Sequence, residues 1–119
     1  MLKISPKQQK SLAKKERLSF IKRVIEHVEE FFPEHYQALS KEQNESLIEY
    51  GIERSAQYNI NSERDVCLYV DIMLALGPDF DENKTIPWAL SILNDDSLSA
   101  PREKIDKLHD YTVQHMKSN

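Results

Sequence analysis

With only two glycines in 119 residues, Gly51 and Gly77, this chain has few positions at which the tight reversals of β-hairpins could form. A mostly β chain of this length would need more glycine and Asn-Gly turns, so the scarcity points to helices. Hydrophobic residues at 39% and charged residues at 30% suit one modest core and leave no long polar stretches of the disordered kind. The length is that of one ordinary domain. The expected architecture is therefore all-α, a single-domain bundle of five or six helices over residues 1–119.

Helix boundaries are marked by caps. Ser5-Pro6-Lys7-Gln8 reads as a helix start, with a capping serine, a proline where no amide hydrogen is needed, and Gln three residues after the cap. Leu18, Ile21, Ile25, Val28 and Phe32 then recur three and four apart, an inward stripe that Pro33 ends or bends at Phe32. Before Leu18 the stripe is weak, so residues 1–17 are expected to project from the core or fray as a basic helix end.

A short helix fits Pro33 to Leu39, and Ser40-Lys41-Glu42-Gln43 repeats the capping-box pattern to launch a helix to about Tyr58. Leu47, Ile48, Gly51, Ile52 and Ser55 form its inner face. Gly51 costs about 1 kcal/mol relative to Ala inside a helix, so its expected justification is a close crossing with another helix. After the break at Asn59-Ile60-Asn61, Ser62 caps a helix over about 63–76 that is apolar around most of its circumference and should lie at the centre. Gly77-Pro78 closes it with a left-handed glycine. Asp79 to Ile86 is a polar connection, Pro87 to Leu93 a short helix, and Pro101 to about Met116 a last helix with Ile105, Leu108, Thr112 and Met116 inward.

The net charge of −4 conceals an asymmetry. Residues 1–23 carry eight basic side chains against the single acid Glu16, while the remainder carries eight basic residues against nineteen acids. Lys7, Lys10, Lys14, Lys15 and Arg17 form a basic patch that could meet phosphates or an acidic protein, or simply face the chain's own acidic body. The lone Cys67 excludes an intrachain disulfide and suits a reducing compartment. The longest nearly apolar run, Val66 to Gly77, is too short for the roughly 20 residues that cross a bilayer. No apolar segment follows the N-terminal lysines as a secretory signal requires, so cytoplasmic residence is expected.

Chemical signatures are sparse. Asp79-Phe80-Asp81-Glu82-Asn83 opens like a calcium loop, but Lys84 stands where an EF-hand turns on glycine and Leu90 where a bidentate Glu would complete it. The four histidines form no His-x-x-x-His pair and no Glu-x-x-His motif occurs, so no metal and no cofactor are expected. Asp106 and His109 share a helical face, an arrangement expected of a surface contact. Cys67 lies on the most apolar helix and should be a buried, high-pKa thiol. Two isolated glycines also exclude phosphate-cradling loops. An active site would need Asp71 to meet Asp65, Glu63 or a histidine in a cleft. Phe80 and Trp88 flank the acidic loop and are either core or, if exposed, interface anchors ringed by Asp79, Asp81 and Glu82.

Gly51-Ile52-Glu53-Arg54-Ser55-Ala56-Gln57-Tyr58-Asn59-Ile60, Ser62-Glu63-Arg64-Asp65-Val66, Leu76-Gly77-Pro78-Asp79-Phe80-Asp81 and Pro87-Trp88-Ala89 together resemble small helical accessory proteins encoded beside type VI secretion and polymorphic toxin genes in bacteria. The resemblance spans about residues 48–98. It implies a chaperone, adaptor or immunity protein that holds a larger secreted effector. The expectation is thus a non-enzymatic protein-binding domain acting through its acidic surface and Asp79, Phe80, Asp81, Glu82 and Trp88, with self-association left open. The alternative is nucleic-acid binding through the basic N-terminal helix.

Overall fold

The computed structural model describes the backbone over residues 6–118 and the side chains over 15–117. Six α-helices follow in order: α1 Pro6–Phe31, α2 Pro33–Ala38, α3 Lys41–Ala56, α4 Glu63–Leu76, α5 Pro87–Leu93 and α6 Pro101–Ser118. A single 3₁₀ turn, Phe80–Glu82, lies between α4 and α5. No strand occurs among the described residues. The shortest principal dimension is 20 Å, about two helix diameters.

The caps expected at Ser40 and Ser62 act where they stand, while the one expected at Ser5 lies outside the described residues. Ser40 Oγ accepts from the Gln43 amide at 3.1 Å while Gln43 Oε1 accepts from the Ser40 amide at 2.9 Å. Ser62 Oγ accepts from the Asp65 amide at 3.2 Å, starting α4 where the sequence places it. Pro33 ends α1 and starts α2 with two hydrogen bonds still spanning the break. Phe32 takes φ −134° and ψ 56°, yet its amide still bonds Val28 at 2.8 Å and its carbonyl receives the Tyr36 amide at 3.0 Å. The third helix stops at Ala56, two residues short of the expected Tyr58, as Asn59 turns to φ 63° and the Ile60 amide returns to the Ser55 carbonyl at 3.0 Å.

α4 lies at the centre, packed by α3, α6 and α1. Val66, Tyr69, Val70, Ile72 and Met73 are all buried, and each fully buried large side chain contributes about 1.5–3 kcal/mol. Gly51 has the role expected of it: a Cβ there would stand 2.9 Å from Val70 Cγ2 and 3.0 Å from Met73 Sδ, so the bare backbone lets α3 and α4 touch. Gly77 has the positive φ required, 108°, but its ψ of 152° leaves the left-handed helical region for one that only glycine occupies comfortably.

Three expectations about faces are corrected. Leu18 is 56% exposed; the stripe of α1 is instead Phe20, Ile21, Val24 and Val28, with Ile25 and Phe32 half-buried at its edge. Met116 is 49% exposed, beyond the part of α6 that buries Ile105, Leu108 and Thr112. The connection from Asp79 to Ile86 is not simply polar surface, since Phe80, Asp81 and Ile86 are buried. The sequence also hid Asn44, whose Nδ2 donates to the carbonyls of Tyr36, Leu39 and Ser40 and closes the end of α2 against the start of α3.

Candidate functional site

The acidic loop is tied inward. Arg54 on α3 donates to Asp81 and, at 3.2 Å, to Glu82, while the Tyr58 hydroxyl donates to Asp81 at 2.6 Å and the Tyr50 hydroxyl to Asp79. Burial pulls the Arg54 guanidinium down, but its bonds to Asp81 and Glu82 outweigh that and hold it above its usual value. Burial, with the bond to Asp81 behind it, pushes the Tyr58 phenol up to about 12. Phe80 packs on Tyr69 with ring centroids 5.0 Å apart.

Phe80 and Asp81 are therefore unavailable to a partner unless the loop opens: the apolar ring fills the core and the carboxylate neutralises Arg54. This corrects the expected recognition surface at those two positions. Asp79 and Glu82 remain exposed, and Trp88 is half-buried against Tyr111 and His115 at 5.9 and 5.7 Å.

In the basic patch, Lys15 is exposed and Arg17 faces Glu53 at 3.7 Å, a contact with the chain's own acidic body. The side chains of Lys7, Lys10 and Lys14 lie outside the described residues.

A groove that no motif announced lies along the edge of the apolar core. Its volume is about 490 Å³, within the range of ligand and peptide sites. Phe32, together with Ile72, Leu74 and Ala75 of α4 and Val113 and Met116 of α6, lines it, with Asp71, His109 and Lys117 among its polar members. Val113 and Met116 are exposed apolar side chains of its lining, and Phe31 is an exposed one outside it. The signal that could have found it lies in α6, where Val113 and Met116 continue an apolar row beyond the buried Leu108 and Thr112.

At the groove's edge Asp71 meets His27. Asp71 Oδ1 and His27 Nε2 share a hydrogen bond at 2.8 Å, tying α4 to α1. The carboxyl is 17% exposed, and burial raises its pKa against the opposing pull of His27 and then His109. Cys67, one turn before Asp71, completes a cluster in which the ligand atoms of His27, Cys67 and Asp71 lie within 4.8 Å of one another.

Of the partners considered for Asp71, a histidine is present as His27, whereas the acids are elsewhere: Glu63 pairs with Arg23 at 2.7 Å, and Asp65 with Arg64 at 2.8 Å. Arg64 also holds Asp106 at 2.7 Å, so Asp106 serves a bridge from α4 to α6. Burial pushes the Cys67 thiol up to about 11, as expected from its helix, which is the reverse of what a nucleophilic thiol requires. The His27–Asp71 dyad can orient a ring and bind a proton, but the adjacent thiol stays protonated at neutral pH.

No described helix is long and apolar enough to cross a membrane. No family model, curated protein or solved structure matches the chain.

Proposed function

We propose that the chain is a non-enzymatic, cytoplasmic protein-binding module, a chaperone, adaptor or immunity protein for a bacterial secreted effector. It holds an amphipathic helix of its partner in the groove between Phe32 and α6. The open apolar groove carries this reading: Leu74, Ala75, Val113 and Met116 line it and offer contacts for the apolar face of a partner helix. The acidic excess beyond residue 23 favours a partner segment whose flanks are basic. The upward push of burial on the Cys67 thiol favours a binding role over nucleophilic catalysis. The resemblance over about residues 48–98 supplies the effector context.

Coexpression with the products of neighbouring genes tests it. One of them should co-purify at moderate salt, and the pair Val113→Glu and Met116→Lys should weaken capture at least tenfold. Both side chains are exposed, at 38% and 49%, so the helical circular dichroism and thermal midpoint should stay near those of the wild type. Capture that survives the double substitution, or no capture of any neighbour, overturns the proposal.

A further inference from the structure

His27, Cys67 and Asp71 offer one nitrogen, one sulfur and one oxygen within 4.8 Å of one another, from two helices whose backbones are held by buried packing on both sides. Tetrahedral zinc sites use these donor types, with metal–ligand distances of about 2.0–2.3 Å, and the present spacing needs only side-chain adjustment to reach them. Cys67 and Asp71 are four residues apart on α4, which puts both donors on one face, and His27 approaches from α1. All three are half-buried, so a bare ion would be poorly solvated there. Charge balance removes that difficulty: one thiolate and one carboxylate cancel a divalent cation, and the imidazole binds neutral. A thiolate–imidazole–carboxylate set favours Zn²⁺ and Co²⁺ over the hard ions Mg²⁺ and Ca²⁺.

We propose that His27, Cys67 and Asp71 form a mononuclear Zn²⁺ site at the edge of the groove. On binding, Cys67 releases its proton to solvent, the proton shared by His27 Nε2 and Asp71 Oδ1 moves to Nδ1 of the ring or to solvent, and that hydrogen bond gives way to two metal bonds. Three protein donors leave a fourth position for water or for a donor from a bound molecule. The site stands on its own geometry and does not depend on what occupies the groove.

The test uses the full chain, reduced and stripped of metal, titrated with Co²⁺ and then Zn²⁺. Co²⁺ should produce a thiolate-to-cobalt charge-transfer band with one ion bound per chain, Zn²⁺ should abolish it, and Zn²⁺ but not Mg²⁺ should raise the thermal midpoint. Cys67→Ala should remove the band, while Asp71→Asn and His27→Gln should each weaken Zn²⁺ binding at least tenfold. His35→Gln, at the groove but outside the cluster, should bind as the wild type does. The wild-type spectrum decides without reference to any variant: absence of a thiolate band, or Zn²⁺ affinity unchanged by Cys67→Ala, overturns the proposal. Loss of partner capture with the band intact would count against the groove reading alone.

Discussion

Single residues decide where helices can touch. At Gly51 the added methyl of Ala would gain about 1 kcal/mol of helix propensity, yet it would stand 2.9 Å from Val70, a branched side chain with little freedom to move. Overpacking costs about 1–3 kcal/mol, so Gly51→Ala should destabilise the fold by about 1 kcal/mol net in urea unfolding. Adding Val70→Ala should relieve the clash, making the double variant less unstable than the two separate losses combined. Gly77→Ala should also destabilise, by about 1–3 kcal/mol, although its surroundings are open, because the strain lies in the backbone. Tyr58 provides a pH readout. Its raised pKa means that the folded chain holds the phenolic proton more tightly, so this stabilisation is complete below the ordinary value of 10.0 and disappears as pH rises through about 12. Tyrosinate absorbance should lose one of several late-titrating phenols in Tyr58→Phe, since Tyr50 and Tyr69 are also raised, and the variant's stability should fall less steeply over that window.

At the scale of elements, α1 tests which periodicity is real. Ile21 is 4% exposed and Leu18 56%, so Ile21→Ala should cost about 2–5 kcal/mol and Leu18→Ala about 0.5 kcal/mol or less in denaturant unfolding. Equal costs would mean that α1 packs on the stripe read from sequence. The 3₁₀ turn depends on a different kind of bond. Asp81 is fully buried against Arg54, so Asp81→Ala leaves a buried cation without its main partner and should cost about 3–5 kcal/mol. Replacing both residues with Leu should cost less, since no charge is left buried. Caps, breaks and the central helix were all legible locally, because each depends on neighbours within four residues. The tie from Arg54 to Asp81 spans 27 residues, and neither position carries a local sign of it.

The whole molecule separates two readings of its charge. Replacing Lys7, Lys10, Lys14, Lys15 and Arg17 with Gln should leave partner capture in the groove intact. If the arm instead serves nucleic acid, the unmodified chain should bind a duplex with steep salt dependence and the Gln variant should lose that binding. Arg17 already faces Glu53, which places part of the positive charge against the chain's own acids.

Local chemistry in the sequence was enough to determine an all-helical chain, the bounds of α4, the caps at Ser40 and Ser62, and the close crossing at Gly51. Each follows from short-range hydrogen bonding, backbone freedom or apolar spacing. Only tertiary packing decided that Phe80 and Asp81 point inward, that Phe31, Val113 and Met116 remain uncovered, and that His27 meets Asp71 and Cys67. Those outcomes depend on how helices distant in sequence are set against one another, and periodicity along a single helix shows that a face is apolar without showing which neighbour covers it.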